Sequence, residues 1–205
     1  MARKTREETE QTRLNILHAA LELFHETGYT RTTLEQIARK AGVTRGAIYW
    51  HFKDKVDLFL GLKDEIEQSA GTRLEDLLLR SVESLAEMRE GVLRFLRHIE
   101  ENEQFRRYFE IVLYRAEFTE ELQPLLARYR DKCRRLQQKD QEDLIRLQQA
   151  GKIRADIDCA QAALGFRCLF MGIIDTWFMD TGLFPLVEQG EALLRDYLDG
   201  LLPDV

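Results

Sequence analysis

Residues Thr33 to Lys55 read TLEQIARKAGVTRGAIYWHFKDK. The Thr33 hydroxyl can cap a helix, and Gln36 stands three residues on, the spacing of a capping box. Leu34, Ile37, Ala38 and Ala41 form one apolar side of that helix. Gly42 ends it, Val43 turns inward, and Thr44 is placed to cap a second short helix from Arg45 to about Trp50. Two short helices joined by a tight glycine turn predict a helix-turn-helix.

The second helix has the surface a reader of the major groove needs. Thr44 can cap the helix and still offer its hydroxyl to phosphate. Arg45 can fork onto the O6 and N7 of guanine, while Gly46 and Ala47 let backbone approach the base edges. Tyr49, His51 and Lys55 are placed for flanking phosphates, contacts that fix register without reading sequence. Thr33 is counted with the same DNA-facing set, and so is Trp50, which is open between packing and a backbone contact. Leu34, Ile37, Val43, Ile48 and Phe52 are assigned to packing. A purely structural three-helix cap has no use for the small, polar helix start or the aromatic and basic exit.

Outward from this segment, the periodicity is helical throughout. A first helix is predicted from about Glu7 to Thr27, with Ile16, Leu17, Ala20, Leu23 and Phe24 on one stripe and Gly28 as its stop. Asp54 opens a long helix carrying Val56, Phe59, Leu62 and Ile66, with Leu74, Leu77 and Leu78 continuing the stripe past Gly71. Further helices are predicted at about 83–100, 103–117, 121–150, 158–179 and 187–202. No stretch alternates strictly, so no strand is predicted. The expected fold is all-α, with a DNA-binding domain at 1–53 and a ligand-binding and dimerisation domain at 54–205. Apolar residues cover nearly the whole circumference of the 158–179 helix, which predicts burial on every side. The last helix carries Leu193, Leu194, Tyr197, Leu198 and Leu201, and the two together are expected to form a subunit interface.

The chain of 205 residues is 44% hydrophobic and 32% charged, which supports a core and argues against disorder. Its net charge of −6 speaks against nucleic acid, but the charge is unevenly spread. Residues 31–55 hold 6 basic and 2 acidic side chains, whereas 61–205 hold 20 and 28. Only the first part can approach phosphate at low cost. Cys133, Cys159 and Cys168 form no CxxC pair, and no apolar segment follows the charged N-terminus, so reduced thiols and a cytoplasmic location are expected, with no membrane partner. Glu22 and His25 have the spacing of a carboxylate metal motif, but a solvated helix face is favoured. No clustered nucleophile, base or metal set appears, so neither enzyme activity nor a cofactor is expected.

The string from Gly42 to Lys55, GVTRGAIYWHFKDK, resembles the signature of TetR-family regulators and, in its spelling, the AcrR-like subgroup that controls multidrug efflux operons. Beyond residue 60 the likeness is looser, carried by Arg106–Ile111 and Glu117-Phe118. Ala116 and Leu113 stand where the subgroup usually has cysteine and histidine, so the effector preference is expected to differ. The resemblance implies an all-helical homodimer, a palindromic operator, and a cavity in the C-terminal domain whose filling by a small hydrophobic effector releases DNA. Candidates for its wall are Ile66, Phe95, Phe109, Leu113, Glu117, Phe170, Ile174 and Trp177; ordinary core remains open for each aromatic. An operon of metabolism or catabolism is the alternative target, and a DNA-organising factor without an effector the alternative role.

Overall fold

The computed structural model describes residues 6–69, 78–116 and 122–203. Among them lie nine α-helices and no strand: α1 (Arg6–Thr27), α2 (Leu34–Lys40), α3 (Arg45–His51), α4 (Lys55–Ser69), α5 (Leu85–Glu101), α6 (Glu103–Glu110), α7 (Gln123–Gln149), α8 (Cys159–Met179) and α9 (Leu186–Asp199). The helix expected over 103–117 is α-helical only to Glu110 and continues as a π-helical stretch, Ile111–Arg115. Leu74, Leu77, Glu117 and Phe118 fall outside the described residues.

The chain packs as two compact units, residues 1–71 with 103–126 and residues 72–102 with 127–205. The expected cut at 53/54 does not coincide with a boundary between these units, and α4 lies within the first.

The first unit is built on α1, which contacts α2, α3, α4, α6 and the π-helical stretch. Ile16, Leu17, Ala20 and Phe24 of α1 are buried, as their spacing requires. Phe24, Tyr29 and Phe59 meet pairwise with ring centroids 5.2–5.6 Å apart, and Tyr108 joins Phe59 at 5.5 Å. Each buried ring contributes about 1.5–3 kcal/mol. Gly28 ends α1 with a φ of +85°, a conformation that a side chain would strain. The chain thereby turns so that the Tyr29 N–H donates to the Arg115 carbonyl at 3.1 Å.

In the second unit α9 packs against α5 and α8. A Cβ on Gly190 would lie 2.6 Å from Leu96 Cδ1, so the bare glycine sets the closeness of α9 and α5. The helix starts are capped: Ser84 accepts the Glu87 N–H, Asp158 accepts those of Ala160 and Gln161, and Glu100 accepts that of Leu186. Gln148 donates to the carbonyls of Arg154 and Ile157 and pins the α7–α8 connection.

Within a single chain α8 buries one face and leaves open another, available to the second subunit expected there. Ala163, Phe166, Phe170, Ile173, Ile174 and Trp177 are buried, but Leu164 is 55% and Met179 81% exposed, and Cys168 and Gly172 lie open beside them. Its most apolar window has a mean hydropathy of 1.4, enough by length and composition to cross a bilayer, yet its buried face is packed in the second unit.

Candidate nucleic-acid interface

Local chemistry fixes the reading helix. The Thr33 Oγ1 accepts the Gln36 N–H at 3.2 Å, and the Gln36 side chain accepts the Thr33 N–H at 2.8 Å, closing the capping box of α2. Gly42, at a φ of +68°, makes the turn. The Thr44 Oγ1 accepts the Ala47 N–H at 3.2 Å and caps α3, while buried Ile48 and Phe52 anchor the helix. Thr44, Arg45, Gly46, Tyr49 and Trp50 are exposed, Ala47 and His51 half-buried. Trp50, open from sequence between packing and contact, is 72% exposed and touches His51 edge-on. Arg45 donates to the Tyr49 hydroxyl at 3.0 Å, which aligns the two longest polar side chains of the face.

Gly46 is informative. A Cβ there would meet only Thr44 Oγ1, at an ordinary 3.8 Å, and its φ is not positive. Nothing inside the chain asks for a glycine at this exposed position. The missing side chain leaves room for something outside.

Lys55 is placed differently from the expectation. Its ammonium donates to the carbonyls of Tyr29 and Thr32, both at 3.2 Å, and sits 4.3 Å from the Tyr29 ring centroid. It fastens the start of α4 to the turn after α1, a positioning role. The exposed Lys53 beside it was passed over in the sequence.

Glu22 and His25 are occupied by ion pairs. Lys40 lies 2.8 Å from Glu22, which holds that carboxyl below its ordinary value, and His25 Nε2 lies 2.9 Å from Glu110. Arg115 donates to the other oxygen of Glu110.

Of the residues expected at an effector wall, Ile66, Phe109 and Leu113 lie in the first unit and Phe95, Phe170, Ile174 and Trp177 in the second. Ile66 is buried, and Phe109 stacks parallel on Phe105 at 6.3 Å. Phe95 and Phe170 meet edge-to-face at 5.5 Å, and Ile174 and Trp177 are buried. Glu117 lies outside the described residues. Sequence reasoning missed Glu67, a carboxylate 8% exposed beside Ile66, with the Lys63 ammonium 3.1 Å away. It also missed a cleft of about 270 Å³ in the second unit, bordered by Arg94, Lys139, Asp140 and Arg167. The available signal was Arg167 itself, a cation within the apolar run of α8.

Of the residues expected at the subunit seam, Leu194, Leu198 and Leu201 are buried within the chain. The Tyr197 hydroxyl donates to the Ala162 carbonyl at 2.7 Å and lies where a Cβ on Gly165 would clash. Only Leu193 of this set is exposed, at 44%. The buried part of the apolar stripe of α9 packs on the chain's own α5 and α8.

A capped helix-turn-helix with an exposed, small-residue leading edge, on an all-helical frame, defines a DNA-binding regulator. The chain matches the family of bacterial regulatory proteins of the tetR type over residues 16–62, and the C-terminal region of MAATS-type transcriptional repressors over residues 83–203. It is 34% identical to the transcriptional regulator AcrR of Shigella flexneri, covering 98% of this chain and 93% of that protein. It is 31% identical to TtgR of Pseudomonas putida, covering 98% and 96%. Among solved structures, NalD, the secondary repressor of the MexAB-OprM multidrug efflux pump of Pseudomonas aeruginosa, superposes with a TM-score of 0.82 at 32% identity over 96% of this chain and 98% of that one. A complex of SmeT with triclosan gives 0.76 at 28% identity, over 94% and 92%. The chain belongs to the TetR family of transcriptional regulators.

Proposed function

We propose that this chain is a homodimeric repressor of a multidrug efflux operon, acting in the cytoplasm and released from a palindromic operator by a small hydrophobic effector. The observation that carries the reading is the leading edge of α3, exposed and bare at Gly46 although the chain itself has room for a side chain there. Residues 1–53 read DNA; residues 54–205 sense the effector and dimerise. Thr44 and Tyr49 hold phosphates, Arg45 reads a guanine, Ala47 meets a thymine methyl, and Thr33, Trp50 and His51 flank them. One reading helix per chain calls for two half-sites about 34–36 Å apart, or a multiple of that.

The efflux target is supported by the relatives: AcrR and TtgR are transcriptional regulators, and NalD is the secondary repressor of the MexAB-OprM multidrug efflux pump. SmeT is solved with triclosan, a hydrophobic phenol, which supports an apolar effector for a related fold. Filling the effector site need shift operator affinity by only about 1–3 kcal/mol, roughly 5–150-fold, and DNA must weaken effector binding by the same factor.

The test is footprinting of the purified chain on the promoter of an adjacent pump operon, with and without a panel of hydrophobic drugs. A single symmetric footprint that a drug erases is expected. Diffuse protection without symmetry, or a footprint that no compound changes, would overturn the reading.

A further inference from the structure

The cleft of about 270 Å³ in the second unit falls just below the roughly 300–1,000 Å³ typical of small-molecule sites. Part of its lining is apolar: Leu78, Val82, Met88, Val92 and Phe166. The same lining carries charge from four segments. Arg80 precedes α5, Arg94 lies on α5, Lys139 and Asp140 lie on α7, and Arg167 on α8.

The acids of this cleft are already engaged. Glu90 receives the Arg97 guanidinium at 2.8 Å, which lowers its carboxyl from the ordinary value. Glu87 accepts the Glu83 N–H at 3.0 Å. Asp140, 1% exposed, accepts from Arg167 Nε at 2.5 Å, with Lys139 at 3.4 Å. Lys139 bridges on to Asp143, fully buried, which Arg146 also engages.

The cations are not matched in the same way. Arg80 and Arg94 are exposed and form no ion pair among the described residues, whereas the Arg167 guanidinium bonds Asp140 through Nε and lies 5.9 Å from the centroid of the Phe170 ring. The surplus at the cleft is positive.

This cluster is a poor device for stability. Replacing a buried ionic network by apolar side chains of similar volume is often neutral or stabilising. Burial pushes the Asp140 carboxyl up from its ordinary value against the pull of Arg167 and Lys139. A buried acid held by two cations in the lining of a cleft is an arrangement that functional sites share.

We infer that this cleft binds a small amphipathic carboxylate, its anionic head among Arg80, Arg94 and Arg167 and its apolar body against Met88, Val92 and Phe166. None of the apolar set Phe95, Phe170, Ile174 and Trp177 borders the cleft, although the Arg167 guanidinium reaches over the Phe170 ring. As the effector site of the repressor this assignment rests on the function proposed above; as a binding site it does not.

The experiment is calorimetric titration of the full chain with 4-phenylbutyrate, its neutral amide, and 4-phenylbutylamine. The probes share an apolar body and differ only in the head group. The acid should bind at least tenfold more tightly than the amide, with an affinity that falls as salt rises, and the amine should not bind. Arg94→Gln, an exposed change that spares the fold, should lose tenfold or more for the acid and leave the amide unchanged. The double variant Asp140→Leu/Arg167→Leu removes the buried pair as a unit, should remain folded, and should lose the preference for the acid. Equal binding of acid and amide, no binding of the acid, or wild-type binding by both Arg94→Gln and Arg80→Gln would overturn the site. Operator affinity is measured in parallel. It should fall at saturating acid. Undiminished operator binding then overturns the effector role alone, and failure to bind any operator overturns the regulator reading alone.

Discussion

The Lys55 ammonium lies 3.2 Å from the Tyr29 carbonyl oxygen and 4.3 Å from the centroid of the Tyr29 ring. The carbonyl of Thr32 completes the cradle at 3.2 Å. A charge held this way belongs to the frame of the reading unit. Lys55→Met should lower the melting temperature and weaken binding to all DNA sequences, with the salt dependence unchanged, because no phosphate contact is lost. Lys53→Ala should leave stability alone and reduce the salt slope by about one. Melting curves and affinities across a salt series separate the two. A reduced slope with unchanged stability for Lys55→Met would show that its ammonium leaves Tyr29 for phosphate.

Gly46 and Arg45 should respond in opposite senses on fold and on DNA. Gly46→Ala meets no clash within the chain and should stabilise α3 by up to about 1 kcal/mol. On operator DNA the added methyl should cost at least tenfold in affinity, since it occupies the approach to the base edges. Arg45→Ala should cost about 1–3 kcal/mol on the operator and relax preference at one base position. Melting temperature and binding to single-base operator variants decide both; operator affinity unchanged by Gly46→Ala would remove the argument from its bareness.

The sequence is most legible where backbone chemistry is local. Thr33, Gln36 and Thr44 cap helices from within three residues, and Gly28 and Gly42 mark turns with positive φ, so α1 to α3 read almost to the residue. Hydrophobic periodicity reports that a face is buried and not what buries it. Hence Leu194 and Leu198 were legible as buried positions, while their partners in α5 and α8 were not. The ionic cluster was hidden for a related reason. Lys139, Asp140, Asp143 and Arg146 stand on the long polar helix α7, where nothing local distinguishes a buried acid from a solvated one. The π-helical stretch Ile111–Arg115 likewise follows from no spacing of residue types.

Glu110 gives the first unit a dependence on acid pH. Burial pushes its carboxyl up, but hydrogen bonds from His25 and Arg115 more than reverse this, and the net shift is downward from 4.5. A carboxylate lowered in the folded state contributes stability that is present in full above its unfolded value and is lost as pH falls through the folded one. Stability should therefore fall below about pH 4.5. Glu110→Gln should be less stable near neutrality, by under about 1 kcal/mol after solvent screening, and should show a shallower fall in acid. Melting temperature against pH for both proteins checks this; parallel curves would mean that the pairs with His25 and Arg115 carry no net energy.

The subunit seam gives the last prediction, and burial decides which residues to change. Leu194 is fully buried and Leu198 3% exposed in a single chain, so glutamate at either position would put a charge into the core of the second unit. That costs several kcal/mol and should unfold the unit before any dimer is tested. Leu164, at 55% exposure on α8, and Leu193, at 44% on α9, are different. Both are large apolar side chains that this chain alone leaves to solvent, on the two helices expected to meet a second subunit. Leu164→Glu and Leu193→Glu, singly and together, should keep helicity and melting temperature measured at low concentration. They should shift the molecule to a monomer in sedimentation and lower operator affinity at least tenfold, because one reading helix can then hold only one half-site. The contrast with Leu194→Glu, which should lose helicity, controls for simple misfolding. A double variant that stays dimeric in sedimentation would place the seam on another face.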